Sequence, residues 1–481
     1  QQPVHQHGQK RSSPGSTNLA YFRACSFLAC AFLSLSLLNF LYCSPPGAQQ
    51  TVIVPVLQFL NHTYSSISSG IGGVGQSGSC DYSVGRWVWA PGHARRYNGT
   101  ECNVKESRDC IRNGRPDTGY LDWRWQPAGC LLPAFDASAF LSELRGKHLA
   151  FVGDSMAWNM AQSLLCLLGA ASPYRLVAKD HKDRFRRLAF ATHNVTLSLY
   201  WAPFLARATG RSENHTMPYD TVHLDALADR WSADADTMDV VVVNAGHWFW
   251  SKAVYRNGSD VIGAHASTGL NHTEIGIVRP FREAYRTALE RLSSGRRPRT
   301  VVSTTFSPTH FEGKTYDDPT ACTNKIPYRE GEKEVGSVEE ELRSVVHEET
   351  EAVAAASIGS GSDGARFEVL DVTKLSSLRP DGHPGAYMNR DPFAHGVPER
   401  MPTDCLHSCL PGPVDTFNDI LLQILVAKRS GAYWDAWMVS ELEGFQYWDA
   451  RLFRPAPMHR LRNKRRSIKR NLSRRENLNS N

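Results

Sequence analysis

The chain is predicted to be an α/β protein with helices layered on a central parallel sheet. Four short, β-branched apolar runs, Leu149–Val152, Asp239–Val243, Thr300–Thr304 and Phe367–Val372, have the length and composition of strands buried on both faces. Helix-period segments lie among and after them, at Met156–Leu168, Pro280–Leu292 and Asp415–Lys428. Strands alternating with helices imply crossover connections, and hence parallel pairing. In such a sheet the functional site gathers at the carboxyl ends of the strands.

The N-terminal part reads differently. Residues 24–43 form a 20-residue stretch without a charge, long enough to cross a bilayer as a helix. Lys10, Arg11 and Arg23 precede it, and no charged residue follows until Asp81. By the positive-inside rule residues 1–23 are then a cytosolic tail and the bulk of the chain is lumenal, a type II arrangement. A cleaved signal peptide is the alternative, but the apolar run is long for one. Residues 44–79, rich in Gly, Ser, Pro and Gln, read as a flexible stem. The stem contains a formal G-x-G-x-x-G from Gly70 to Gly75, with no strand before it and no amphipathic helix after it. It therefore lacks the context of a nucleotide site.

Residues 80–130, with four cysteines, several aromatics and little periodicity, read as a small disulfide-stapled cap on a larger domain spanning 131–430. Within that domain, Gly331–Ala365 reads as a surface helix with a flexible end. Residues 431–481 form a basic tail, with 11 Lys/Arg and one acidic residue from Arg451 onward. The net charge of +6 resides there, and the first 450 residues sum to −4. A solvated charge run explains the tail, and nothing in the body offers nucleic acid a basic face.

Eight cysteines lie outside the apolar run, with no C-x-x-C spacing, which favours disulfides over zinc. Asn-x-Ser/Thr acceptor sites occur at Asn61, Asn98, Asn194, Asn214, Asn257, Asn271 and Asn471, a density that suits a glycosylated lumenal protein.

The first chemical candidate is Gly153-Asp154-Ser155, between a predicted strand and a predicted helix. A serine on such a turn is lifted above the sheet, beside backbone N–H groups that would face a developing oxyanion. The competing reading is a plain helix cap, for which Ser and Asp are favoured. A serine nucleophile also needs a base and a group to orient it. Asp404 and His407 are three residues apart, so both side chains share one face of a turn, flanked by Cys405 and Cys409. A rival histidine, His383, lies in Arg379-Pro-Asp-Gly-His-Pro384, which reads better as a structural turn with Asp381 capping the backbone. Zinc held by Asp404, Cys405, His407 and Cys409 is a third reading, weakened because oxidised cysteines cannot bind metal.

One resemblance unites these segments. CDYSVGRWV (80–88), CIRNGRPDTGYLDWRWQPAGC (110–130), GDSMAWN (153–159), NAGHWF (244–249), RPDGHP (379–384) and DCLHSCLPGPVDTFND (404–419) occur in one order. Together they resemble the trichome-birefringence-like family of plant polysaccharide O-acetyltransferases. The wording of NAGHWF and of SPTHFE (307–312) is most similar to the xyloglucan-acting branch, ahead of those acting on mannan or xylan. The resemblance implies a Golgi type II membrane protein with a GDSL/SGNH-like core and Ser155, Asp404 and His407 as catalytic triad. It also implies the pairings Cys80–Cys130, Cys102–Cys166, Cys110–Cys409 and Cys322–Cys405.

The expected reaction passes acetyl from a donor, acetyl-CoA or a relay carrier such as an acetyl-supplying membrane protein, through Ser155 to a glycan hydroxyl. No metal or tightly bound cofactor is expected. Gly153, the Ser155 N–H and Asn244 are the candidate oxyanion group. Trp248, Phe249 and Trp250 are read as core packing before sugar stacking. Three positions depart from the family wording: Trp158 stands in place of Arg, Ser408 in place of Trp, and Phe417 in place of Trp. Trp158 and Ser408 keep open a catalytically silent wall-polymer-binding protein, and a polysaccharide acetyl esterase, which would use the same triad but admit water, is the other alternative.

Overall fold

The structure, a computed structural model, describes residues 80–92, 96–97, 102, 104–295, 297–359 and 365–427. The expected tail, anchor, stem, basic C-terminus and flexible end of the surface helix lie outside these residues, as do Asn61, Asn98 and Asn471. Among the described residues no helix is long and apolar enough to cross a membrane.

Two strands, β1 (Gly85–Trp89) and β2 (Trp123–Pro127), pair antiparallel in the cap. Helix α1 (Ala137–Glu143) leads into β3 (His148–Gly153) and α2 (Ser155–Gly169). Strands β4 (Arg175–Lys179), β5 (Phe185–Phe190), β6 (Val195–Trp201), β7 (Ala206–Gly210) and β8 (Asp220–Leu227) follow. Then come α3 (Asp229–Asp234), β9 (Val240–Asn244), β10 (Ala253–Asn257) and β11 (Asp260–His265). The chain continues through α4 (Val278–Ser293), β12 (Arg299–Thr304), α5 (Ser337–Gly359), β13 (Ala365–Leu370), α6 (Thr373–Ser377) and α7 (Asp415–Val426).

The central sheet runs β13-β12-β9-β3-β6-β5-β4. Its first five strands are parallel, and β5 and β4 are added antiparallel at one edge. The four strands expected from the sequence are β3, β9, β12 and β13, shifted by one or two residues at their ends. All six residues of β3 are buried because helices cover both faces. Leu149 and Phe151 join a core with α1, α2 and α7, while Ala150 and Val152 join a second core with α4 and α5. This is the period-2 alternation of a strand placed between two helical layers. In α4, Phe281, Ala284, Tyr285, Ala288, Leu289 and Leu292 recur at helix spacing and, with Pro280 in the first turn, are the residues it buries.

Strands β4 to β8, β10 and β11 were not expected: β6 pairs parallel with β3, β5 and β4 complete the sheet edge antiparallel, and β7, β8, β10 and β11 form a separate mixed sheet ordered β11-β10-β8-β7, parallel between β10 and β8. Cys80–Cys130 closes the cap on itself, Cys102–Cys166 and Cys110–Cys409 tie it to the core, and Cys322–Cys405 completes the set, the same four pairs that the resemblance implies. Asn194, Asn214, Asn257 and Asn271 are all exposed.

Candidate active site

Gly153 ends β3 where β9 passes so close that a Cβ would sit 1.8 Å from the Asn244 carbonyl oxygen. Only glycine permits this approach, which lets the chain turn at once into α2. Asp154, fully buried, caps that helix: Oδ1 accepts from the Met156 N–H at 2.9 Å. Its Oδ2 accepts from the Gly246 and His247 N–H groups, each at 3.0 Å, so the loop after β9 is held against the helix start. Burial pushes the Asp154 carboxyl up to about 6, against the pull of these three N–H bonds. Because Asp154 serves as the cap, the Ser155 hydroxyl is left for other work.

That hydroxyl lies 2.7 Å from His407 Nε2, and His407 Nδ1 lies 2.7 Å from Asp404 Oδ2. Asp404 Oδ1 also accepts from the Leu406 and His407 N–H groups at 3.0 and 2.9 Å, so one carboxylate shapes the turn and orients the ring. Burial alone would raise the Asp404 carboxyl. The charge and hydrogen bonds of His407, with Arg108 behind them, outweigh it and hold the carboxyl well below the usual range. Burial and then the Arg108 charge lower the His407 imidazole, while Asp404 pulls it upward. A neutral ring with Nδ1–H on a carboxylate has its Nε2 lone pair free to take a hydroxyl proton.

The surroundings of His407 are held from several sides. Cys322–Cys405 and Cys110–Cys409 bracket it, and Asp404 pairs with Gly385 through two backbone bonds. Fully buried Asn159, one helical turn after Ser155, accepts from the Ser408 N–H at 2.7 Å and donates to the Ser408 carbonyl at 3.2 Å. His383 does not reach Ser155. Its Nδ1 donates to the His407 carbonyl at 2.8 Å and its Nε2 meets His310 Nδ1 at 2.7 Å. Burial lowers the His383 ring to about 4. The Arg379–Pro384 loop is a structural turn, but Asp381 pairs with Arg379 at 2.7 Å instead of capping the backbone.

The zinc reading fails because Cys405 and Cys409 are both bonded to other cysteines. Among the described residues no group of three or more His, Cys, Asp or Glu is arranged to hold a metal. Asn244 ends β9 opposite Gly153 and is buried there. Gly153 itself accepts from the Ala202 N–H through its carbonyl at 2.8 Å.

Ser155 opens onto a cleft of about 720 Å³ between the cap and the core. Arg108 from the cap, Trp158 and Gln162 from α2, and Trp201 from β6 line it. Sequence reasoning missed Asn159 and Arg108 and left the cap open between Asp154 and Ser155. Asn159 stands inside the GDSMAWN wording, whereas Arg108 had no local signal.

Residues 132–424 match the GDSL/SGNH-like acyl-esterase family found in Pmr5 and Cas1p, and residues 78–131 match the PMR5 N-terminal domain. The chain belongs to this PC-esterase family, among its trichome-birefringence-like members. It is 46% identical to xyloglucan O-acetyltransferase 1 of Populus trichocarpa over 79% of this chain and 88% of that one. It is 47% identical to xyloglucan O-acetyltransferase 1 of Arabidopsis thaliana over 72% and 80% of the two chains. Protein trichome birefringence-like 25 of Arabidopsis thaliana is 35% identical over 73% and 78%.

The three positions expected to depart from the family wording, Trp158, Ser408 and Phe417, have distinct surroundings. Trp158 is half-buried on the cleft wall with the Arg186 guanidinium 5.4 Å from its ring centre, and among the described residues its indole N–H is buried without a partner. Ser408 is the residue latched by Asn159, and Phe417 is buried in the core beneath α7. Of the three aromatics after β9, Phe249 is fully buried and Trp248 packs edge-on against Trp201 at 5.6 Å. Trp250 is 43% exposed, so core packing accounts for only part of that run.

Proposed function

We propose that this chain O-acetylates a plant cell-wall hemicellulose, xyloglucan ahead of mannan or xylan, through an acetyl-Ser155 intermediate. The observation that carries this reading is the unbroken hydrogen-bonded series Ser155–His407–Asp404 at a cleft. The family and the names of the similar proteins supply the acetyl group and the glycan. Ser155 Oγ attacks the acetyl carbonyl of the donor and its proton passes to His407 Nε2. The carbonyl electron pair becomes an oxyanion facing the Ser155 N–H and the Asn244 amide, and collapse expels the donor group, which takes the proton from His407. A glycan hydroxyl then repeats the sequence in reverse, giving its proton to His407 while Ser155 recovers its own. Asp404 keeps the imidazole in the productive tautomer throughout.

The donor is acetyl-CoA or a relay carrier, and the domain works in the Golgi lumen on a type II anchor. Four exposed glycosylation acceptors and four disulfides support that compartment. Two measurements test the reading. Incubation of the full chain with acetyl-CoA alone should add one acetyl group to the Ser155 peptide, lost from that peptide when xyloglucan oligomers are added. The Ser155→Ala chain should carry no adduct and lose on the order of 10³–10⁶ in turnover. Near-normal glycan acetylation by Ser155→Ala would refute the mechanism.

A further inference from the structure

Arg108 ends a short 3₁₀ turn of the cap, two residues before Cys110. The Cys110–Cys409 bridge and a 2.8 Å bond from the Leu410 N–H to the Arg108 carbonyl clamp that turn to the segment carrying His407. The side chain is 3% exposed and lines the same cleft as Ser155. Among the described residues it makes one hydrogen bond, from Nη1 to Gln162 Oε1 at 3.1 Å, and its Nε–H is buried without a partner. Among the described residues no carboxylate forms an ion pair with it.

Two other buried arginines nearby show what a bracing role looks like. Arg115 donates to the His383 and Asp381 carbonyls and pairs with Asp117. Arg379 pairs with Asp381 through two nitrogens and donates to the Tyr120 carbonyl. Their guanidinium groups are nearly used up by the protein, and that of Arg108 is not. A buried guanidinium left short of acceptors is costly unless another partner arrives. Gln162 stands seven residues after Ser155 on α2, so it and Trp158 present one helix face to the cleft and steady Arg108 there.

We propose that Arg108 is a catalytic residue of the acetyl transfer: its guanidinium stabilises the negative charge that develops on the acetyl oxygen when Ser155, or the glycan hydroxyl, attacks. The inference rests on the acetyl-transfer reading above. When the Oγ–C bond forms and the carbonyl π pair moves onto oxygen, the Ser155 proton makes His407 an imidazolium. Before attack the Arg108 charge opposes that protonation; once the oxyanion exists, both cations have an anion to face. Burial lowers the guanidinium only to about 10, so it is charged at neutral pH. Lys105, exposed on the same turn at the cleft rim, is what the phosphates of a charged donor would meet before reaching the deeper Arg108.

The test compares the full wild-type chain with Arg108→Gln and Arg108→Lys. The readout is the single-turnover rate of Ser155 acetylation from acetyl-CoA and from 4-nitrophenyl acetate, an uncharged ester. Arg108→Gln should lose about 10²–10³-fold with both donors. Its acid limb should also move to higher pH, because His407 then faces Asp404, Lys105 and the buried rings of His247 and His383 without the Arg108 charge. Arg108→Lys should keep the position of that limb and lose about tenfold, since an ammonium lacks the planar fork. If Arg108→Gln does not fold, a folded Arg108→Lys acetylated at the wild-type rate overturns the inference. Wild-type rates in Arg108→Gln, or a loss confined to acetyl-CoA, overturn it as well, the latter assigning Arg108 to donor phosphate. A wild-type chain that forms no Ser155 adduct refutes the acetyl-transfer reading itself, and this inference with it.

Discussion

Asn159→Ala isolates the latch between the serine helix and the histidine loop. The side chain is fully buried and makes two bonds to the backbone of Ser408, at 2.7 and 3.2 Å. Two neutral hydrogen bonds are worth about 0.5–1.5 kcal/mol each, and more when the partners left behind lack water. The variant should therefore lose roughly 2–3 kcal/mol and melt a few degrees lower. Competing holds on the same loop decide how far activity follows. Disulfides fix Cys405 and Cys409, His383 holds the His407 carbonyl, and the Asp404 turn holds residues 406 and 407. None of these bonds the Ser408 backbone, the link next to the reacting imidazole. A displacement near 1 Å at such a ring costs about 10²-fold. We expect single-turnover acetylation of Ser155 to fall about 10–100-fold with the fold retained. An Asn159→Ala chain that melts lower yet acetylates within about twofold of wild type would refute the latch, leaving the disulfides to position His407 alone.

Cys409→Ser opens the bridge with a sequence separation of 299 residues and should cost roughly 3–5 kcal/mol together with activity, read by denaturant unfolding and by transfer. Peptide mapping that recovers Cys405 and Cys409 as free thiols would sink the pairing scheme. Trp158→Arg should fold and retain or raise transfer, since the indole fills cleft wall without using its N–H; complete loss in a folded chain would show that the indole takes part. His383→Ala removes a bond to the His407 carbonyl and strips His310 of its neighbour, so unfolding should become easier by about 1–3 kcal/mol. Turnover should fall far less than in Ser155→Ala, and a loss of equal size would make His383 part of the chemistry.

Much of the site's raw material was legible because the signals were local. Asp404 and His407 are three residues apart, and the turn that joins them is built from Asp404's own oxygens. The central strands β3 and β9 could be read because burial on both faces leaves an unbroken apolar run, Leu149–Val152 and Val240–Val243, whereas the parallel β6 was missed because Thr196 and Ser198 interrupt it. The edge strands had no such mark. All five residues of β4 are exposed, and β5 carries two arginines among its apolar residues, so neither shows a clean period.

By itself, then, the sequence determined the α/β layering and the makings of a serine–histidine–aspartate site, since alternation and a four-residue turn need no distant partner. Only the tertiary structure decided that Ser155 and His407, 252 positions apart, share a hydrogen bond, that Asp154 and not Ser155 caps the helix, and that His383 serves as a brace. It alone brought Arg108 from the cap to the cleft. Contacts of that range are set by how the β3 and β9 ends and the Cys110–Cys409 bridge pack together, and no spacing along the chain encodes that geometry.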